Sequence, residues 1–184
     1  MKKPVFIKSI SSVVNKFDTY IIDQWGVMHD GKKSFDHAVN CVHELNKLCK
    51  NLILISNSSK KKSFTINKLQ GLGFDNKNFL EIVTSGQIIF DEINNPTLEW
   101  SKQLGQNFFH LTNINADTNL AKDLSKNVVN SIEDADFILG STVNSKMSTL
   151  DYVPILKKAI KLNLPFVCAN PDYESVETNE NFKK

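Results

Sequence analysis

One carboxylate of this 184-residue chain stands where a catalytic group is expected. The apolar stretch Tyr20-Ile21-Ile22 leads directly into Asp23, and Gly26 follows within a turn. The apolar residues predict a buried strand, and in parallel α/β sheets ligands bind at the carboxyl ends of the strands. A carboxylate there can be a nucleophile, a metal ligand or both, or it can merely cap a turn. The rest of the sequence favours a chemical role for Asp23.

A hydroxyl group follows the next predicted strand in the same way. The run Leu52-Ile53-Leu54-Ile55 is apolar throughout, as in strands that are buried on both faces of a parallel sheet, and Ser56 comes directly after it. Parallel strands bring their carboxyl ends to one edge of the sheet. We therefore expect Asp23 and Ser56 to lie side by side.

Strands and helices alternate along the first half of the chain, which predicts a wound α/β sheet. We expect strands at residues 17–23, 52–55 and 81–83, a helix capped by Ser34 that ends near Lys50, a second helix at 62–70, and a third capped by Ser85.

The alternation breaks at Asn94-Asn95-Pro96 and then restarts, so we place a domain boundary near residue 98. Beyond it we expect strands at 108–111, 128–129, 136–140 and 164–168. We also expect a short helix around Leu120 and Leu124 and a longer helix with Pro154 in its first turn. Residues 173–184 are polar and show no periodicity.

The composition of the chain argues against several classes of function. The net charge is +2, every basic residue is Lys, and no Arg is present, so nucleic-acid binding has little support. No apolar stretch approaches the roughly 20 residues of a membrane span, and the N-terminus does not resemble a secretory signal. Cys41, Cys49 and Cys168 show no paired spacing, so we expect reduced thiols and a cytoplasmic protein.

Five segments, in this order, resemble motifs of the type IIA subfamily of the haloacid dehalogenase superfamily. They are Asp23-Gln24-Trp25-Gly26-Val27, Ile55-Ser56-Asn57-Ser58-Ser59, Leu69-Gln70-Gly71-Leu72-Gly73-Phe74, Val83-Thr84-Ser85-Gly86 and Phe166-Val167-Cys168-Ala169-Asn170-Pro171-Asp172. The resemblance implies an α/β fold: a partial Rossmann-like parallel sheet at 1–98, the first half of the family's core, followed by an α/β cap at 99–170. Residues 171–184 would return to the core or form a disordered tail.

The resemblance also implies a magnesium-dependent phosphohydrolase that acts on a small phosphorylated metabolite through an aspartyl-phosphate. Asp23 would be the nucleophile and a metal ligand, and the backbone carbonyl of Trp25 would be a second ligand. Ser56, Asn57 and Gly26 would bind the substrate. A carboxylate beside a hard cation can attack phosphorus because the cation offsets the charge of the phosphoryl oxygens.

Two departures from the family pattern leave alternatives open. Trp25 stands where the family's phosphatases carry a second Asp, the general acid and base. His29 could supply a proton instead, or it could be a locally hydrogen-bonded loop residue. Nothing after Asp172 resembles the family's lysine or acidic metal-binding motifs, so the chain looks C-terminally truncated. It could therefore be an inactive fragment, a phosphoryl-ligand binder or a metal-independent dehalogenase, and the strand of Asp23 could self-associate along an exposed edge.

Overall fold

The computed structural model describes residues 5–112, 120–142, 144 and 147–172. The strands in these residues are β1 (Thr19–Asp23), β2 (Asn51–Ser56), β3 (Glu81–Thr84), β4 (Asn107–Leu111), β5 (Asn127–Val129), β6 (Phe137–Gly140) and β7 (Phe166–Cys168). The helices are α1 (Asp36–Lys47), α2 (Lys62–Gly71), α3 (Ser85–Asn94), α4 (Glu99–Lys102) and α5 (Thr149–Lys161). The predicted α/β class is confirmed.

The chain forms two compact units. The first contains Met1–Ile55 and Ile66–Ile82, and the second contains Ser56–Thr65 and Val83–Lys184. The predicted division at residue 98, with a cap at 99–170, is a different partition and stays a prediction. The predicted tail lies largely outside the described residues, since these end at Asp172.

The first sheet has the order β1-β2-β3, and β1 runs parallel to β2 in a register that pairs Asp23 with Ile55. Leu52 and Leu54 of β2 are almost completely buried. They belong to a core cluster in which α1 presents apolar residues at helical spacing, namely Ala38, Val42 and Leu45. The apolar pattern of β2 therefore fixes which face of α1 is buried.

The second sheet is parallel throughout, with the order β5-β4-β6-β7. Phe108 of β4 and Phe137 of β6 are fully buried, with ring centroids 5.5 Å apart, and they pack in one cluster with Ile89 and Ile93 of α3. The other face of the sheet is covered by α5, through a cluster of Ile132, Ile138 and Ala159. Coverage of both faces is the usual arrangement for parallel sheets.

Two predicted helix caps are each wrong by one residue. Ser34 does not cap α1; the N-cap is Phe35, without a side-chain hydrogen bond, and Ser34 instead forms an isolated bridge with His29. The cap of α3 is Thr84 rather than Ser85, because the Thr84 hydroxyl accepts a hydrogen bond from the Gln87 N–H at 3.1 Å.

Two further local predictions are wrong beyond residue 98. Pro154 lies in the second turn of α5, because a capping box between Ser148 and Asp151 starts the helix at Thr149. No helix forms at the described residues near Leu120 and Leu124. Leu120 is fully buried in the cluster that contains Phe108 and Phe137, so its apolar side chain packs into the core without a helix.

The turn near the predicted boundary is held by one carboxylate. Glu92 accepts hydrogen bonds from the backbone N–H groups of Thr97 and Leu98, each at 3.1 Å, and from the Ser101 hydroxyl at 2.7 Å. Hydrogen bonds from the side chains of Thr97 and Ser101 are the main reason that the pKa of Glu92 falls to about 2. The segment between α3 and α4 is therefore ordered by Glu92. Among the described residues, no helix is long and apolar enough to span a membrane.

Candidate active site

Asp23 is the last residue of β1, and its side chain is exposed. Its register partner on β2 is Ile55, and Ser56 is the next residue along that strand. Both predicted site residues therefore stand at the carboxyl ends of neighbouring parallel strands, as their sequence context indicated. Their roles in catalysis stay predictions.

The loop after Asp23 is closed by two backbone hydrogen bonds. The Gly26 N–H donates to the His29 carbonyl at 2.8 Å, and the Met28 N–H donates to the Gln24 carbonyl at 2.9 Å. Gly26 has φ +77°, a left-handed conformation that is costly for residues with a Cβ atom. Gly26 therefore has a clear backbone role in shaping the loop that follows Asp23, whereas its substrate-binding role stays a prediction.

The sequence left two alternatives for His29, a proton donor or a locally hydrogen-bonded loop residue, and the structure supports the second. Its side chain is 1% exposed, and Nδ1 lies 2.9 Å from the Gly31 N–H, which donates to it. Burial, together with the positive charge of Lys68, lowers the pKa of His29 below its ordinary value of 6.5. Because Nδ1 accepts a hydrogen bond, the neutral ring carries its proton on Nε2, an atom that is buried without a partner among the described residues. Neutral imidazole is a poor general acid, so His29 does not replace the missing Asp.

Two other side chains in this loop also lack a proton to donate near neutral pH. Trp25 is 44% exposed, and its indole N–H does not titrate. Asp30 accepts hydrogen bonds from the N–H groups of Lys33 and Lys32 at 2.7 and 2.8 Å, and these bonds lower the pKa of its carboxyl group. Asp30 therefore stays ionised, and Trp25, His29 and Asp30 supply no general acid.

The segment after β2 has its own hydrogen bonds. The Ser56 hydroxyl oxygen accepts from the Ser58 N–H at 3.3 Å, which leaves the hydroxyl proton to donate to a ligand. The side-chain amide of Asn57 donates to the carboxylate of Asp172. Asp172 belongs to the fifth motif, from which no contact with Asn57 is predicted. The contact joins residues 115 positions apart, and no local pattern in the sequence predicts it.

The expected metal donors are few but chemically suitable. The described residues include no group of three or more His, Cys, Asp and Glu side chains that could hold a metal ion. The Asp23 carboxylate and the Trp25 carbonyl are both hard oxygen donors. Mg²⁺ often binds through one or two protein carboxylates while it keeps several waters. The donor types therefore fit Mg²⁺, and the ligand assignment stays a prediction.

An apolar pocket in the second unit was not predicted. It has a volume of about 310 Å³, and its lining includes Ile89, Trp100, Leu104 and Phe166. Trp100, which is 39% exposed, therefore borders a pocket in addition to lying near the predicted boundary. The described lining of this pocket contains neither a carboxylate nor a hydroxyl side chain, the groups that are expected to act at Asp23 and Ser56.

The sequence around this site matches a known family. Residues 20–97 match the model of the haloacid dehalogenase-like hydrolases. Over these residues the chain is similar to that family. The match includes Asp23, Trp25, Gly26, Ser56 and Asn57, so the resemblance inferred from the motifs is confirmed.

Solved structures share the fold over a larger part of the chain. A haloacid dehalogenase-like hydrolase from Brucella suis 1330 is 24% identical with a TM-score of 0.75, covering 91% of this chain and 61% of that one. A p-nitrophenyl phosphatase from Archaeoglobus fulgidus is 21% identical with a TM-score of 0.59, covering 85% and 56%. A glycerol phosphate phosphatase from Mycobacterium tuberculosis is 18% identical with a TM-score of 0.58, covering 87% and 45%.

At these identities the likeness shows the fold alone. The chain spans less than two thirds of the length of each of these three structures. No curated protein has a significant match to the chain.

Proposed function

We propose that the chain carries the nucleophile of a magnesium-dependent phosphohydrolase that acts on a small phosphorylated metabolite. One observation supports this proposal above all others. The exposed carboxylate of Asp23 ends β1, and its register partner Ile55 directly precedes Ser56, the hydroxyl donor that would hold the phosphoryl group. Among the similar structures, a p-nitrophenyl phosphatase and a glycerol phosphate phosphatase suggest phosphate monoesters as the substrate class.

The proposed reaction has two steps. A carboxylate oxygen of Asp23 forms a bond to phosphorus while the bond from phosphorus to the leaving oxygen breaks, and the electron pair departs with that oxygen. Water then attacks the phosphorus of the aspartyl-phosphate while the bond from phosphorus to the Asp23 oxygen breaks, and the electron pair returns to the Asp23 carboxylate. One proton of the water stays on the released inorganic phosphate, and the other passes to solvent. Ser56 and Asn57 would hold the phosphoryl oxygens, and Gly26 would keep the adjacent loop in shape.

Asp23 and the Trp25 carbonyl would hold Mg²⁺, which when bound supplies positive charge that offsets the phosphoryl oxygens. A glycerol phosphate phosphatase of similar fold was solved in complex with magnesium, which supports this choice of ion.

The lack of a general acid among Trp25, His29 and Asp30 limits which substrates would react. Protonation of the leaving oxygen by a general acid typically accelerates such steps by about 10²–10⁴-fold. With Trp25 in the acid position and His29 neutral, the leaving oxygen would depart as an anion. We therefore expect p-nitrophenyl phosphate, which has a stable leaving anion, to react far faster than glycerol phosphate.

The test is phosphate release from p-nitrophenyl phosphate in the presence of Mg²⁺, with Asp23→Asn as the critical variant. Asp30→Asn is the matched control, because Asp30 is an exposed carboxylate of the same loop. We expect Asp23→Asn to abolish release and Asp30→Asn to preserve it. Equal rates for the wild type and Asp23→Asn would remove the phosphatase proposal.

A phosphoryl-ligand binder without turnover is the second candidate, favoured by Trp25 and by the buried, neutral state of His29. Binding of inorganic phosphate without hydrolysis of p-nitrophenyl phosphate would select it. Release of chloride from a haloacid without Mg²⁺ would instead indicate dehalogenase chemistry on Asp23.

A further inference from the structure

We propose that Thr84 and Gly86, at the start of α3, are positioning residues that hold the segment 57–62 in shape for phosphoryl binding. The inference rests on the proposed function, since it gives that segment a ligand. Neither residue is proposed to touch the substrate. Residues 56–65 and α3 belong to the same compact unit.

Gly86 lets the two backbones approach closely. A Cβ atom at this position would lie 2.1 Å from the Ser59 carbonyl oxygen and 2.7 Å from that of Lys60. Both are backbone atoms, so no side-chain rotation could relieve the overlap. The Gly86 N–H also donates a hydrogen bond to the Ser58 carbonyl at 3.0 Å. Glycine is therefore required here by close approach, and its φ angle is not in the left-handed region.

Thr84 joins the same segment to the helix cap. Its side chain is fully buried, and its hydroxyl donates to the Lys60 carbonyl at 2.7 Å. The same hydroxyl oxygen accepts from the Gln87 N–H at 3.1 Å, so the contact to Lys60 and the cap of α3 form together. Loss of this one hydroxyl would leave two partly buried backbone groups, the Lys60 carbonyl and the Gln87 N–H, without this partner.

Gln87 provides the third attachment, since its side-chain oxygen accepts from the Lys62 N–H at 3.0 Å. The Lys61 ammonium is held nearby as well, 3.8 Å from the centre of the Phe90 ring and 2.7 Å from the Lys122 carbonyl, to which it donates.

These attachments set the direction of the backbone amides. The Ser58 and Lys60 carbonyls point toward the start of α3. The described peptide bonds include no cis bond, so the N–H groups of Ser59 and Lys61 point the opposite way. A segment fixed in this form loses little conformational entropy when it binds an anion, which strengthens binding.

The experiment measures the affinity of the full chain for inorganic phosphate in the presence of Mg²⁺ by isothermal titration calorimetry, with a thermal melt of each variant. Thr84→Val keeps the side-chain shape and removes both hydrogen bonds, Thr84→Ser restores the hydroxyl, and Gly86→Ala introduces the overlap. Gly105→Ala is the matched control: its added Cβ would meet the Asp136 side chain at 2.4 Å in the same unit, away from segment 57–62.

We expect Thr84→Val and Gly86→Ala to weaken phosphate binding about tenfold or more, which corresponds to the loss of one or two partly buried hydrogen bonds. Thr84→Ser should recover most of the affinity. Gly105→Ala should lower the melting temperature without weakening phosphate binding, a separation that a merely structural role would not produce.

Three results would overturn the inference. Wild-type affinity in Thr84→Val and Gly86→Ala would refute the positioning role while leaving the proposed function intact. An equal loss of affinity in Gly105→Ala, at a similar loss of thermal stability, would show that the effect is general destabilisation. Absence of phosphate binding by the wild type would refute the proposed function, and the positioning role with it.

Discussion

Replacing Gly26 with alanine should destabilise the protein through its backbone alone. Gly26 has φ +77°, and no atom lies within 4 Å of the position that a Cβ would occupy, so a steric clash with the surroundings does not contribute. The left-handed conformation costs a residue with a Cβ about 1–2 kcal/mol. For a chain of this length, that loss in the free energy of unfolding corresponds to a fall in melting temperature of about 2–8 °C.

Gly71→Ala provides the matched control. Gly71 is the last residue of α2, its φ is not positive, and nothing lies within 4 Å of an added Cβ. Alanine at a helical position is favoured over glycine by about 0.5–1 kcal/mol. The same chemical change should therefore stabilise the protein at Gly71 and destabilise it at Gly26.

Urea denaturation followed by circular dichroism gives the free energy of unfolding for both variants. If Gly26→Ala were as stable as the wild type, or if both variants shifted stability in the same direction, the argument from the backbone angle would be refuted. The loop that follows Asp23 would then not depend on a left-handed residue at that point.

Three further predictions concern burial. The pKa of His29 is lower in the folded protein than its ordinary value of 6.5. As the pH falls below about 6.5, His29 therefore binds a proton in the unfolded chain before it does so in the native state, which favours unfolding. Stability should therefore decline between pH 7 and 5, and His29→Gln should remove this slope in urea denaturation whereas His43→Gln, at an exposed position, should not. Ile21 is 67% exposed on β1, an edge strand of the described sheet, so we expect the chain to self-associate along this edge. Sedimentation velocity should show this self-association, and Ile21→Lys should reduce it. Ile160→Lys is the control, because Ile160 is 74% exposed on a helix. A strictly monomeric wild type would contradict this. Phe108→Ala should lower the free energy of unfolding by about 3–5 kcal/mol, because Phe108 is fully buried, and a loss below 1 kcal/mol would contradict the packing.

Strand positions could be predicted because apolar runs leave little choice of structure. The segments ending in Asp23 and Ser56 form β1 and β2 at the expected positions, because both contain apolar runs. The expectation that the first of them is a buried strand is wrong, because β1 lies at the edge of the described sheet and leaves Ile21 67% exposed. Helix ends were less predictable, because capping depends on which hydroxyl meets a free N–H. Ser85 and Thr84 are adjacent hydroxyl residues, and only the hydrogen bond to Gln87 distinguishes them.

Long-range contacts could not be predicted from one sequence. The apolar pocket beside Trp100 combines residues from α3, α4 and β7, which no periodicity connects. The bond between Asn57 and Asp172 also depends on the path of the chain through the whole second unit. Local sequence patterns determine where helices and strands form, whereas contacts between distant helices and strands depend on tertiary packing.

The state of His29 shows most clearly what the sequence could not decide. From the sequence, its ordinary pKa of 6.5 made it a candidate proton donor, with a locally bonded loop residue as the alternative. Burial disfavours the charged ring, and the hydrogen bond from the Gly31 N–H occupies the lone pair on Nδ1. Both effects favour the neutral ring, so the position of His29 near Asp23 in the sequence does not translate into acid catalysis. Trp25, His29 and Asp30 therefore supply no proton to the leaving oxygen, which is why we expect the stability of the leaving anion to govern the rate.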